Sequence, residues 1–474
     1  MSAGATGLTS LSLQLTRARF VTRQGESLLY LASTLAYAVC SSLALTVAGG
    51  TWMFWNRYRQ PTGLLADVLA VDPSFTNVLM FYVMLAIIAC ALLVPSLFGL
   101  AASAAVLGAR GRERRLSALR LLGVSAGDVT RMSLIDTAIQ AGIGCVVGTI
   151  AYLATVPLWS NMQMQSVPIG VQEMTLPWWL LLSVLAATLL IGLGASWWGL
   201  RQVRISPLGV ARRANRPALR AWRVVVFVGV VIAAMIGTQM LQLGGQIIFW
   251  IILGAILLTV VWGLNLVAPW FLQLISKLLA KSPSPSMIWA ARRIESNPKT
   301  TWQMGSGIAL MSFIGGYISM MPLNFAQPGD AEVVTSFVEG AAWDFTKGAL
   351  ITLAVGLVLT ATSVLITQAS AVLERAEQAR ALDKMGAPRS FLTRATWLET
   401  LGPLVLAMVL GSGLGIAMAT PMAEFAGSVG ARASTGTLIL GSVLIAGLAL
   451  VTAALLATRP LQRQVLAVHE RPND

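Results

Sequence analysis

The chain has 474 residues, 56% of them hydrophobic and only 11% charged, and its mean hydropathy is +0.75. Soluble chains carry about a quarter charged residues. This composition, with apolar runs recurring along the whole length, therefore excludes a soluble globular protein and describes a polytopic membrane protein. The formal net charge of +14 points to bases gathered in cytoplasmic loops, with no nucleic acid as partner.

Residues 1–27 form a polar arm. Leu8, Leu11, Leu15 and Ala18 recur at helical spacing with Arg17, Arg19 and Arg23 among them, a pattern for an amphipathic helix on the inner membrane surface. Leu11, Leu13 and Leu15 also fit a strand-like alternation. The first apolar run, Leu28–Phe54, is too long for a signal peptide and follows a polar arm, so it is expected to stay as span 1. A loop with Pro61, Asp67 and Asp72 leads to span 2 (Asn77–Leu107). A charged segment, Arg110–Arg131, precedes span 3 (Met132–Leu158), and span 4 runs from Trp178 to Trp198. After a basic linker, Arg201–Arg223, spans 5 and 6 (Val224–Leu243 and Ile247–Leu274) make a hairpin around Gly244–Gly245. A second basic stretch, Lys277–Lys299, contains Pro283, Pro285 and Pro298. Spans 7 and 8 (Met304–Leu323 and Gly348–Val372) flank an acidic loop with Asp330, Glu332, Glu339 and Asp344. A second charged segment leads to span 9 (Ala395–Thr420), followed by span 10 (Thr435–Ala457). The expected fold is an all-α polytopic membrane protein of ten transmembrane helices. Two four-helix units, 1–215 and 285–474, are joined by a two-helix linker hairpin, 216–284.

With both termini inside, only Arg57, Arg59, Lys347 and Arg432 of the 33 lysines and arginines fall in outer loops. Such a skew in short loops predicts a multi-pass protein of the cell membrane with both termini cytoplasmic. Trp55, Trp178, Trp179, Trp197, Trp198 and Trp222, near span ends, fit interfacial belts. Cys40, Cys90 and Cys145 sit inside apolar runs and read as small buried residues, with no disulfide framework and no metal spacing. The single histidine, His469, lies in the tail. No phosphate-binding loop and no Ser–His or Cys–His arrangement is present, so the chain is expected to be non-catalytic and to hold no cofactor or metal.

Two stretches repeat. Shifted by 263 positions, Arg112–Thr137 falls on Arg375–Thr400. Leu119 meets Leu382, Gly123 meets Gly386, Thr130-Arg131 meets Thr393-Arg394, and Asp136-Thr137 meets Glu399-Thr400. Each copy is a charged, helix-prone segment that ends at a glycine, then a Thr-Arg pair, then a span with an acid just inside it. Fixed-offset similarity means two halves built to one plan. Charge bias alone does not demand glycine, Thr-Arg and an acid at matching places. Gly123 is expected to end its helix, where a glycine can adopt positive φ at little cost. Asp136 and Glu399 lie five residues past their arginines, about 7.5 Å along a helix. Each is open to a structural role near the interface or a role in coupling or gating. Gly144 and Gly148, and Gly411 and Gly415, make small-xxx-small faces that read as packing surfaces.

Several of these residues carry a resemblance. Arg112-Glu113-Arg114-Arg115-Leu116-Ser117-Ala118-Leu119-Arg120-Leu121-Leu122-Gly123-Val124-Ser125 resembles the R-x-R-E-x-x-x-L-R-x-L-G-A-S segment of the FtsX-like permeases of ABC transporters. Ile205-Ser206-Pro207-Leu208-Gly209-Val210-Ala211-Arg212-Arg213 is similar to that family's S-P-x-x-x-L-R ending after a fourth span. Ala290-Ala291-Arg292-Arg293 with Asn297-Pro298 looks like the opening of a second permease unit. The second charged segment departs from the pattern, with Asp383-Lys384 where the first has Arg120-Leu121.

The resemblance implies a permease subunit that does not hydrolyse ATP. A separate ABC ATPase, in two copies, would bind ATP and Mg and dock on the charged segments. The docking residues carried over are Arg112, Glu113, Leu119, Arg120, Gly123 and Val124 in the first unit and Arg375, Leu382, Met385 and Gly386 in the second. Closure of the ATPase pair would move the spans and drive export or extraction of an amphipathic substrate such as an antimicrobial peptide, drug or lipid. The alternative is a signal-transmitting complex that drives a sensor kinase or an extracellular protein without moving substrate. A proton-coupled carrier using Asp136 and Glu399 is a third reading. The family's macrolide-exporter branch carries a large outer domain between the first two spans, and its bacitracin-resistance branch carries one between the seventh and eighth. Here those loops are only Trp55–Thr76 and Asn324–Lys347, too short for a domain. The layout of four, two and four spans resembles the bacitracin-resistance branch more closely.

Overall fold

The computed structural model describes residues 26–71, 73, 75–110, 125–204, 222–240, 246–320, 332–374, 378, 381–382, 384–386, 388–428 and 436–457. The amphipathic arm, the Gly244–Gly245 turn and the tail with His469 lie outside them. In chain order the helices are α1 (Glu26–Arg59), α2 (Leu64–Val71), α3 (Phe75–Arg110), α4 (Ala126–Trp159), α5 (Val171–Met174), α6 (Trp178–Arg204), α7 (Trp222–Met240), α8 (Gln246–Leu279), α9 (Pro285–Ser296), α10 (Pro298–Ser319), α11 (Glu332–Glu374), α12 (Arg389–Ser428) and α13 (Gly436–Ala457). Among the described residues the strands are β1 (Gln163–Met164) and β2 (Val167–Pro168), paired antiparallel. Apolar runs without water to bond their backbone must close their hydrogen bonds internally, and the helix does so within one segment.

Among the described residues eight helices are long and apolar enough to cross a membrane: α1, α3, α4, α6, α8, α11, α12 and α13. The protein is thus an all-α polytopic membrane protein. The other two expected runs are also helical. The apolar part of α7, Trp222–Gly237, is shorter. Helix α10 opens with Lys299, Thr300, Thr301 and Gln303 and falls outside the eight. It is instead deeply enclosed, with Trp302, Ile308, Met311 and Phe313 all at 2% exposure or less. A helix walled by protein does not need the apolarity that lipid imposes.

Two expected loops contain more helix than the sequence reading gave them. The stretch after span 1 holds α2, and α1 itself continues to Arg59. The acidic loop before span 8 is largely the first turns of α11, whose 43 residues extend about 65 Å at the usual rise. That is about twice the hydrocarbon thickness, so its polar first turns extend beyond the apolar span. The charge asymmetry assigns one side of the spans as outer and the other as inner.

Contacts group the chain into two compact units. The first comprises Met1–Gln60, Leu97–Asn161 and Gly170–Arg216. Here α4 lies directly on α1. A Cβ on Gly144 would stand 2.5 Å from Tyr37 Cβ and 2.9 Å from Thr34 O, and one on Gly148 would strike Ser41 Oγ and stand 2.5 Å from Ala38 O. Buried Ser33 of α1 lies 2.9 Å from both Ala104 O and Gln140 Oε1, so its single proton has two acceptors. At the outer end Arg57 donates to Glu173 Oε2 at 2.6 and 3.1 Å, and Glu173 also accepts from Gly170 N–H at 3.2 Å. Tyr152 donates to Met174 O at 2.5 Å, which fixes short α5 against α4.

The second unit comprises Pro61–Ser96, Met162–Ile169 and Pro217–Asp474. Its centre is the crossing of α10 and α12. A Cβ on Gly411 would strike Ala309 O. One on Gly415 would strike Phe313 O and stand 2.8 Å from Tyr317 N. From the other side, a Cβ on Gly316 would stand 2.5 Å from Ser412 O. The small-xxx-small faces are therefore packing surfaces in both units. Helix α8 belongs to this unit: Leu264, Ala268 and Leu272 pack with Ile294, Trp302 and Ala407, and Trp302 Nε1 donates to Asn265 Oδ1 at 2.8 Å.

The glycines of α12 make a direct test. Gly413 sits between Gly411 and Gly415 but has nothing within 4 Å of a Cβ. Gly415→Val should lower stability by about 1–3 kcal/mol, as overpacking does. Gly413→Ala should be neutral or stabilising by about 0.5 kcal/mol. Thermal unfolding of the purified chain in mild detergent measures both.

Candidate functional site

The repeated segment is visible in its second copy. Gln378, Ala381, Leu382 and Lys384 are helical, and Met385 N–H donates to Ala381 O at 3.1 Å. The helix then stops at Gly386, whose φ is +82°. A side chain there would meet nothing within 4 Å, so glycine is required by the backbone and not by crowding. Pro388 follows, and Phe391 N–H donates to Pro388 O at 2.9 Å as α12 begins. Leu382 is half-buried, whereas Met385 is 73% exposed at the tip. The closure expected of Gly123 is seen at the matching position of the second copy, Gly386. Arg112, Glu113, Leu119, Arg120, Gly123, Val124 and Arg375 lie outside the described residues. Just beyond the first copy, Ser125 caps α4. It accepts from Asp128 N–H at 3.2 Å and donates to Asp128 Oδ2 at 2.6 Å. Shifted by 263 positions, Ser125 is Pro388, so one helix start is made with two different chemistries.

The threonines that close each repeat have the same environment. Thr137 is buried, donates to Ser133 O at 2.9 Å, and stands 3.1 Å from Ser196 Oγ on α6. Thr400 is buried, donates to Thr396 O at 2.9 Å, and accepts from Gln368 Nε2 on α11 at 3.0 Å. In each unit one hydroxyl satisfies its own helix and ties a second helix to it.

The acids beside them are both enclosed. Asp136 is 8% exposed. The Glu399 side chain is 11% exposed and pairs with Arg293 of α9, Nη1 to Oε2 at 3.2 Å. The other guanidinium nitrogen, Nη2, donates to Gln378 Oε1 at 3.1 Å. The Arg293 guanidinium carbon lies 5.5 Å from the Trp289 ring centre, and Trp289 meets Phe391 edge-on with centroids 6.1 Å apart. One arginine therefore joins α9, the charged segment and α12. Burial decides which of two adjacent arginines does this. Ala290, Ala291 and Ile294 face inward. Arg293 stays partly enclosed, whereas Arg292 is 68% exposed and pairs only locally with Glu295.

Sequence reasoning singled out Glu399 but missed Arg293 as its partner. The residue pair is 106 positions apart, and the Ala-Ala-Arg-Arg run alone does not say which arginine turns inward. Among the described residues no group of three or more His, Cys, Asp or Glu side chains is placed to hold a metal ion.

A family model described as FtsX-like permease C-terminal matches residues 87–208 and 350–465, together just over half of the chain. Each matched stretch contains one charged segment and the helices on either side of it. No curated protein and no solved structure matches the chain.

The Arg293 fork uses two different nitrogens and a stacked face, which an ammonium group cannot reproduce. Arg293→Lys should therefore behave nearly as Arg293→Ala. In a double-mutant cycle with Glu399→Gln, unfolding in detergent should give a coupling of about 1–3 kcal/mol, the range for contacting, partly enclosed charges.

Proposed function

The chain belongs to the FtsX-like permease family, whose members are membrane permeases of ABC transporters, and on that premise we propose that it transmits force from a separate ATPase to an amphipathic substrate. The ATPase, in two copies, binds ATP and Mg and docks on the two charged segments. The substrate is exported or extracted from the membrane, as an antimicrobial peptide, drug or lipid would be. Both termini lie in the cytoplasm. The observation that carries the reading is the helix closed by Gly386. It presents Met385 to solvent while Gln378, on the same segment, shares Arg293 with Glu399 of α12. A push on that segment reaches α12 through one guanidinium group. The corresponding first-unit residues, Arg112 to Val124, are proposed to do the same beside Asp136.

The two segments sit in one chain, so one copy of this chain should meet the ATPase pair. The even number of linker helices keeps the second repeat parallel to the first, which fits a pseudo-twofold axis along the membrane normal. Affinity purification in mild detergent should recover an ATPase subunit, and native mass spectrometry should give one copy of this chain with two of the ATPase. Two copies of this chain per ATPase pair would overturn the reading. Positive φ costs a β-branched residue about 1–2 kcal/mol. Gly386→Val should therefore lower substrate-stimulated ATPase activity about tenfold while leaving membrane insertion intact, and Gly123→Val should do so at least as strongly. Charge reversal within 112–123 should be tolerated less well than within 375–386, where the motif departs further from the family's pattern.

A further inference from the structure

At the outer end of the second unit a small hairpin sits on one face of α11. Gln163 pairs with Pro168 and Met164 with Val167, so Gln165 and Ser166 make a two-residue turn. Both have φ of +59°, the left-handed conformation that such turns normally give to Asn or Gly. Helix α11 receives the hairpin with Gly340, Asp344 and Lys347, spaced i, i+4 and i+7 on one face. A Cβ on Gly340 would stand 2.9 Å from Ser166 Oγ, so the glycine lets the turn approach. Asp344 Oδ2 accepts from Gln165 N–H at 2.5 Å and from the Tyr82 hydroxyl at 3.1 Å. Lys347 Nζ donates to Gln163 O at 2.8 Å and to Asp344 Oδ1 at 3.2 Å. The Asp344 side chain is only 2% exposed.

This closed arrangement carries opposing terms. Charge-assisted bonds to a buried carboxylate are strong. Against them stand two non-glycine residues at positive φ and the side-chain amide of Gln165. That residue is 1% exposed, and among the described residues neither its Nε2 nor its Oε1 has a partner. Burying an amide unpaired is costly, and release to water would satisfy it. The helix carrying the carboxylate runs unbroken to Glu374, and Gln378, held by Arg293, lies four residues further on. A shift of α11 driven from the inner end would withdraw Asp344 from the turn.

We propose that the Gln163–Pro168 hairpin is a latch at the outer face, caught by Asp344 and released by α11 during the ATP-driven cycle. The proposal rests on the permease reading above. Release exposes Tyr82, Asp344 and the Gln165 amide together, a polar surface that the closed state hides.

Full-length Gln165→Cys protein in intact cells tests it, with a membrane-impermeant maleimide as probe. The native Cys40, Cys90 and Cys145 all lie in spans. In ATP-depleted cells Gln165→Cys should label slowly, because residue 165 is buried while the hairpin is closed, and energised cells should label it several-fold faster. Asp344→Asn should raise the depleted-cell rate about tenfold by populating the open form, and Tyr82→Phe, which removes one donor and keeps the shape, should raise it less. The pair Ser166→Cys and Gly340→Cys should form a disulfide on mild oxidation in depleted cells and less of it in energised ones. Labelling indifferent to Asp344→Asn and Tyr82→Phe, no disulfide, or labelling only from the cytoplasmic side would each overturn the latch. A disulfide yield and labelling rate that ignore ATP would also overturn it, leaving a fixed brace. These outcomes are separate from failure of the permease reading, which is decided on the wild-type chain by whether an ATPase copurifies.

Discussion

Lipid gives two apolar helices no hydrophobic reason to pair, because the acyl chains are as apolar as leucine. What remains is contact close enough for backbone to meet backbone. In the first unit Gly144 and Gly148 of α4 bring it onto the carbonyls of Thr34 and Ala38 in α1. In the second, Gly411 and Gly415 of α12 bring it onto the carbonyls of Ala309 and Phe313 in α10. The same pair of positions, first helix against the helix that follows the charged segment, is used in both. Everything else in each unit is arranged round that crossing, because it fixes where the charged segment's exit helix can stand.

Polar groups then find partners because the membrane leaves them no water. Thr137 and Thr400 bond their own helices and hold α6 and α11 respectively. Three of the four bases assigned to outer loops, against the overall charge bias, are explained in the same way, and the fourth, Arg432, lies outside the described residues. Arg57 is buried against Glu173, and Lys347 holds Gln163 and Asp344. Arg59 lies 5.6 Å from the Trp55 ring centre. These bases serve local structure.

The outer polar cluster of the second unit sits on α11, and Gln378 of the inner one lies four residues past that helix's end at Glu374. Glu399, Arg293 and Gln378 gather where three segments assigned to the inner side come together. Tyr82, Gln165, Asp344 and Lys347 gather where segments assigned to the outer side do so. Residues assigned to the same side by charge meet one another in both clusters. Between the clusters α11 is a continuous helix, and a rigid helix displaces both of its ends together.

The sequence alone determined the class of the protein, the positions of its apolar runs, the repeat and the glycine that closes the charged helix. These follow from local chemistry: hydropathy sums over a window, and positive φ at Gly386 is a property of one residue. It also marked Asp136 and Glu399, because an acid within an apolar run is conspicuous by itself. Only the tertiary structure decided that Arg293 and not Arg292 meets Glu399, that the loop after α4 folds into a hairpin on α11, and that Asp344 is buried instead of lying in a solvated acidic loop. Each of those depends on which helix faces which, and residues far apart in the chain, such as Gln165 and Asp344, carry no mark of the partner they will meet. The enclosed position of α10 was hidden for the same reason: its modest apolarity reads as a weak span until the surrounding helices are seen to take the place of lipid.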